Sequence, residues 1–290
     1  MKKVAISILL TAALLTACGE SGSSTDHSSH NETSGSTNNA AHGNTAGMDH
    51  SGKAKETDSK QEDVQAQFKL STDKPQPNQE TAITIKIQDK NGKPIDKLDT
   101  VHEKQMHLII VSKDLSFFNH IHPENKGNGE FTVTTQFPTA GDYKVIADIT
   151  PTGMGAMNKS QWFTIQGNVP APKAIDPDAT LTKVVDGKEV TLSIDHLMAN
   201  KELNLNFNIK DAQTKQSVTD LQPYLGAVGH VVILTQDAEN YLHVHPTEEK
   251  AKGPDAKFMT TFPQSGVYKI WGQFQQNGKV FTVPFVVKVP

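Results

Sequence analysis

The pattern His-x(12)-His-x-His-Pro occurs twice in this chain of 290 residues, and that repetition constrains the fold more than any other feature. His107 to His120 spans 13 residues, as does His230 to His243, and His120-Ile121-His122-Pro123 answers His243-Val244-His245-Pro246. Leu98 lies nine residues before His107, and Leu221 nine before His230. Downstream, Phe137-Pro138 with Gly141 and Tyr143 answers Phe262-Pro263 with Gly266 and Tyr268, after an insertion of two residues. Matched offsets of this number mean a duplicated module.

The module reads as β-structure. Ile83, Ile85 and Ile87 alternate with polar residues, the period of a half-buried strand. Met106 to Val111 is a buried-strand candidate, and Phe117 to His122 is another, closed by Pro123. Asn91-Gly92 marks a turn. No amphipathic helix of useful length interrupts these short strands. The expected fold is all-β: two tandem Ig-like or cupredoxin-like β-sandwich modules. Module 1 is placed at 67–166 and module 2 at 179–290. A stiff linker at 167–178 carries Pro170, Pro172 and Pro177.

The N-terminal part is different. Only 36% of the residues are hydrophobic, which is low for a wholly globular chain. Residues 19–66, rich in Ser, Gly, Asn, Thr, Asp and Lys, are expected to form a disordered tether containing His27, His30, His42 and His50. Residues 1–18 combine Lys2 and Lys3, an apolar run from Val4 to Leu15, and small residues before Cys18. This is the layout of a secretory signal, too short to span a membrane. Its end resembles a lipoprotein lipobox. Lipidation at Cys18 would anchor the chain to the cell membrane, facing the extracytoplasmic side.

Composition removes several functions. The 28 basic residues are all lysine. Without arginine there is no bidentate clamp for phosphate or guanine, so nucleic acid is not an expected partner. Cys18 is the single cysteine. That excludes an internal disulfide, a cysteine-containing zinc site, a thiol nucleophile and a blue-copper centre.

The histidines point to a site. Segments 106–112 and 117–122 form an antiparallel hairpin if the turn is centred between Asp114 and Leu115. His107 then opposes His122, with His120 beside them on the same face. A turn centred between Asp237 and Ala238 likewise opposes His230 to His245, with His243 alongside. Three neutral imidazoles suit zinc, Cu(II) or nickel, and copper or zinc is favoured. Met106, Met154 and Met157 are possible auxiliary ligands. Asp148, which aligns with Gln273, is a possible ligand or supporting partner. A hydrogen-bonded histidine cluster without metal is the alternative. His102 and His196 have no partner in the other module and read as peripheral, either at the surface or supporting the ligands from behind.

Gly229-His230, Tyr241-Leu242-His243-Val244-His245-Pro246, Phe262-Pro263, Gly266-Val267-Tyr268 and Trp271-Gly272-Gln273-Phe274 together resemble exported bacterial proteins of the YtkA-like and FixH-like type. The resemblance implies small sandwiches connected with copper handling or oxidase assembly, and hence a metal-transport or oxidase-assembly partner. Module 1 departs from it at Val101 to Met106. The expectation is therefore a surface lipoprotein that binds copper or zinc through His107, His120 and His122, and through His230, His243 and His245. It would serve metal buffering, resistance or delivery. A structural or adhesive tandem with structural histidines is the competing reading. No acid repeats at an offset useful for catalysis, so an enzyme is not expected.

Overall fold

In this computed structural model, residues 63–242 and 244–290 are described. The signal segment, Cys18, most of the tether and His243 lie outside the described residues. Module 1 contains β1 (Val64–Leu70), β2 (Thr81–Asp89), β3 (Met106–Ser112), β4 (Phe118–Ile121), β5 (Glu124–Gly127), β6 (Glu130–Thr135), β7 (Gly141–Ile149) and β8 (Met157–Ile165). They form two four-stranded sheets, ordered β1-β2-β6-β5 and β4-β3-β7-β8. Module 2 contains β9 (Thr182–Val185), β10 (Lys188–Ile194), β11 (Glu202–Asp211), β12 (His230–Thr235), β13 (Tyr241–Leu242), β14 (His245–Pro246), β15 (Asp255–Thr261), β16 (Gly266–Gln276) and β17 (Lys279–Val289). Its sheets run β14-β15-β11-β10-β9 and β13-β12-β16-β17. The fold is all-β and Ig-like, with no helix among the described residues. β1 begins at Val64, three residues ahead of the boundary expected for module 1.

Each sandwich closes over its own core. Ile83, Ile85 and Ile87 of β2, with Phe131 of the neighbouring β6, pack against Leu108, Ile110 and Val145 in the core of module 1. Leu203, Leu205 and Phe207 of β11 join Val231, Ile233 and Ile270 in module 2. Tyr143 and Tyr268 are fully buried at matching places, and the hydroxyl of each donates back to a carbonyl four residues upstream, Thr139 and Gln264.

β3 and β12 do not alternate as half-buried strands should. All six residues from Met106 to Val111 are buried, and so are all six of β12. A strand buried on both faces needs a second partner, and here that partner is the other module. Leu108 and Ile110 point into module 1, while Ile109 and Val111 point outward and meet Val232 and Leu234 of β12. Leu115, Ile146, Ala238 and Trp271 complete this third core, with Phe118 stacked on Trp271 at 4.7 Å. Both modules fall within one compact unit, His50–Pro290. The linker is docked as well: Lys173 donates its backbone N–H to Asp114, and Ile175 packs on the third core.

The interface is close to two-fold symmetric. Leu115 and Ala238 hold matching tip positions of the two hairpins, both with positive φ (53° and 59°). Lys144 of β7 donates to the carbonyl of Ala238 (2.8 Å), and Lys269 of β16 donates to the carbonyl of Leu115 (2.7 Å).

Candidate metal centre between the modules

The outward face that carries Ile109 and Val111 on β3 also carries His107, because side chains alternate along a strand. On β4, His120 pairs with Ile109 and so shares that face. The ladder pairs Leu108 with Ile121 and Val111 with Phe118, which centres the turn between Asp114 and Leu115, the register expected from the sequence. In module 2, Ile233 pairs with Leu242 and Leu234 with Tyr241, again the expected register. His230 at the start of β12 therefore faces outward too.

Because the outward faces meet, the histidines of two modules converge. His107, His120 and His230 each place a ring nitrogen within 4.8 Å of the others, and all three are buried. The rings of His107 and His230 stack at 5.3 Å and 9°, across the approximate symmetry axis. His122 lies 5.0 Å from His107 and 4.8 Å from His120, between ring centroids. His102 brings the cluster to five histidines among the described residues, 5.3 Å from His230 and 6.1 Å from His107.

Among the described residues the structure brings together His107, His120 and His230 from the two expected three-histidine sets, while His243 lies outside the described residues. His230 joins module 1's histidines across the interface. His245 does not oppose it but lies exposed on β14, paired with Met259 in the facing sheet. The chain of module 2 has already crossed between sheets by that point. The methionines lie in a different place from the histidines. Met106 and Met157 are buried in module 1's own core, and Met154 packs against it. Met106 immediately precedes an outward-facing residue and so faces inward. Asp148 is different: it pairs opposite His107 on β7 and accepts a hydrogen bond from the Tyr241 hydroxyl of module 2 (2.9 Å). His102, read as peripheral, packs its ring against the cluster, whereas His196 is exposed away from it.

Two hydrogen bonds define the ring protonation. His107 Nε2 lies 2.9 Å from the carbonyl oxygen of Val101, which can only accept. The proton of neutral His107 is therefore on Nε2, and Nδ1 presents a lone pair. His120 Nδ1 lies 2.7 Å from Gln273 Oε1, and the Gln273 amide nitrogen donates to the Thr282 hydroxyl (3.2 Å). In that orientation His120 donates from Nδ1 and presents a lone pair at Nε2. His107 Nδ1 and His120 Nε2 then face each other at 3.0 Å, and both offer lone pairs to the same point.

A proton is poorly suited to that point at neutral pH. Burial drives His120 down to about 3, and the neighbouring histidines push the same way against the Gln273 hydrogen bond. Burial also lowers His122 to about 4, aided by His107 and Lys104. Burial lifts Asp148 to about 6, while Tyr241 and His107 pull it back. Burial, then the Asp148 charge, raises Tyr241 well above its ordinary value, so its hydroxyl remains a donor.

A family model described as a domain of unknown function, DUF8832, matches the chain twice, over residues 60–164 and 183–290. The chain belongs to this family. The double match falls on the two sandwiches. No curated protein matches the chain at a significant level. Among solved structures, it is similar to the Escherichia coli adhesin FdeC, with 16% identity over 78% of this chain and 64% of that one, at a TM-score of 0.25. It is also similar to InvD of Yersinia pseudotuberculosis (15% identity, 77% and 57% covered, TM-score 0.26). A two-domain fibronectin type III segment of chicken tenascin gives 8% identity, 77% and 97% coverage and a TM-score of 0.23. The chain spans about three fifths of the length of the two bacterial structures.

Proposed function

We propose that this protein is an exported, lipid-anchored surface protein that holds one copper or zinc ion in a site shared by its two modules, for metal buffering, resistance or delivery. The observation that carries this reading is the 3.0 Å approach of His107 Nδ1 to His120 Nε2 in a buried cluster. Each ring is backed on its far nitrogen by an acceptor, Val101 O or Gln273 Oε1, as in carbonyl-oriented metal histidines. An ion bound at about 2.0–2.1 Å to two imidazoles in tetrahedral geometry separates their nitrogens by about 3.3 Å. The present 3.0 Å needs only a small opening. His230 would be the third ligand, and a ligand set made of imidazoles among the described residues favours copper or zinc over softer assignments. Asp148 would offset part of the ion's charge in a buried setting.

A second reading rests on the Gln273 amide. Turned end for end, its NH₂ donates to His120 Nδ1 and its oxygen accepts from Thr282. His120 then donates from Nε2 to His107 Nδ1, and the His107–His120 pair is satisfied with no ion. The histidines would then fix the interface of a structural or adhesive tandem. Calorimetric titration with Cu(II) and with Zn(II), alongside elemental analysis of the purified protein, separates the two. One ion per chain, lost on His230→Ala, is expected of a metal site. A wild type that takes up neither ion leaves the structural reading standing.

A further inference from the structure

His120 has a partner at each ring nitrogen: Gln273 of module 2 at Nδ1 (2.7 Å) and His107 Nδ1 at Nε2 (3.0 Å). A neutral imidazole carries one proton, so one nitrogen donates and the other accepts. His107 cannot supply the proton between the rings, because its own is held on Nε2 by the Val101 carbonyl (2.9 Å). Without an ion, the 3.0 Å contact is a hydrogen bond only when His120 donates from Nε2. His120 Nδ1 then accepts, and Gln273 must present its NH₂. With an ion on Nε2, the proton must sit on Nδ1, and Gln273 must present Oε1. The two states ask for opposite ends of the same amide.

Gln273 can meet both demands. It is buried, and the far end of its amide lies against the Thr282 hydroxyl, directly across the β16–β17 ladder (3.2 Å). A hydroxyl both donates and accepts. Thr282 therefore accepts from the NH₂ in one orientation and donates to Oε1 in the other. The matching position on β7 holds Asp148, whose carboxylate has no amide end to turn.

We propose that Gln273 is a positioning residue that turns end for end on loading, so that metal uptake at His107 and His120 moves the His120 proton from Nε2 to Nδ1. This rests on the metal-site reading above. The N–H bond at Nε2 breaks as the ion takes that lone pair, and an N–H bond forms at Nδ1. The ring stays neutral, the ion keeps its oxidation state, and the ring releases no net proton. His120 lines a surface groove together with Lys104, Tyr224 and Gln275, where water can carry the proton. Module 2 thus supplies a ligand, His230, and also the group that decides whether His120 can serve as one.

The experiment is a Zn(II) titration of ¹⁵N-histidine-labelled protein at pH 7, read by long-range ¹H–¹⁵N correlation spectra, which report the ring nitrogen that carries each proton. His120→Gln assigns the His120 signals, and Gln273→Met is compared with wild type after thermal melts establish that it is folded. In wild type the His120 proton is expected on Nε2 before Zn(II) and on Nδ1 after it, with the His107 proton on Nε2 throughout. Gln273→Met keeps the length of the side chain and removes the amide, and should weaken Zn(II) binding by about 10–100-fold. A merely structural role for Gln273 would lower the melting temperature without any movement of the His120 proton in wild type. A wild-type His120 proton on the same nitrogen before and after Zn(II) overturns the proposal while leaving the metal site intact. So does a folded Gln273→Met with wild-type affinity. A wild type that takes up no ion overturns the metal-site reading and this inference together.

Discussion

The hairpin of module 1 keeps both of its trailing histidines at the interface: His120 and His122 lie 5.2 and 5.0 Å from His107. In module 2 the chain reaches the facing sheet by His245, which pairs with Met259 and is exposed. Both hairpins have the same spacing, the same tip geometry and the same register. They also share the reciprocal lysines and the stacked contact of His107 with His230. They differ opposite those histidines, where β7 places Asp148 and β16 places Gln273. Duplication preserved the frame by which the modules grip each other. The chemistry lies in the departures: an acceptor amide behind His120 from one copy and a buried carboxylate beside His107 from the other.

The largest expected effect breaks the comparison most directly. His230→Ala and His120→Ala should each weaken Cu(II) binding by more than about a hundredfold, since losing even a supporting partner of a metal histidine costs 10–100-fold. His245→Ala should leave the isotherm unchanged and the stoichiometry at one ion per chain. Two ions per chain, or an affinity that falls with His245→Ala, would restore independent sites in the two modules. If the site is shared, saturating Cu(II) should also raise the melting temperature, because an ion at about 100 times its dissociation constant adds about 2.7 kcal/mol to the folded state.

Acid should separate the copies next. His120 titrates near 3 in the folded protein against an ordinary 6.5, and His122 near 4. Between those values the unfolded chain binds protons that the folded chain refuses. The stability that these two histidines contribute to the metal-free protein is therefore present above about pH 6.5 and lost as the pH drops toward 3, partly offset by Asp148, whose raised value acts in the opposite sense. His120→Gln should flatten that fall in urea titrations at pH 7, 5.5 and 4.5. A slope unaffected by the substitution would mean that the module 1 cluster is not what resists protonation.

Much of this frame was legible in the sequence, and the reason is physical. A strand has a period of two, so the hairpin register follows once the turn centre is located, and His107, His120 and His122 fall on one face. What the face looked toward was harder to read. The repeated pattern points to two separate modules, yet the unbroken apolar runs Leu108 to Val111 and Val231 to Leu234 carry the opposite signal. A half-exposed strand alternates, and these do not, so each needed cover on both faces. The support from Val101 was not legible, because it comes from a backbone carbonyl, which leaves no trace in residue identity. Nor was the fate of His245, since the point where a chain crosses between sheets is set by pairing with β15 and not by the local pattern.

The smallest effect tests the approximate symmetry itself. Lys144 is 4% exposed, donates to the buried carbonyl of Ala238, pairs with Glu239 at 2.7 Å and lies over Trp162. Lys269 makes the matching bond to Leu115 and lies over Trp271, but in a partly buried setting. Replacing either by methionine keeps the aliphatic stem and removes the donor, leaving a carbonyl unsatisfied at a cost of about 1–3 kcal/mol that grows with burial. Lys144→Met should therefore destabilise by about 2 kcal/mol and Lys269→Met by about 1 kcal/mol in urea unfolding. Glu239 is more than half exposed but its partner Lys144 is buried, so Glu239→Ala should cost more than the roughly 0.2–1 kcal/mol of a fully exposed ion pair. Equal losses at the two lysines would mean that the carbonyls are equally cut off from water, and that the interface is more symmetric in energy than in its side chains. A larger loss at Lys269 would place the better-sealed half of the interface around the Leu115 tip, away from Ala238.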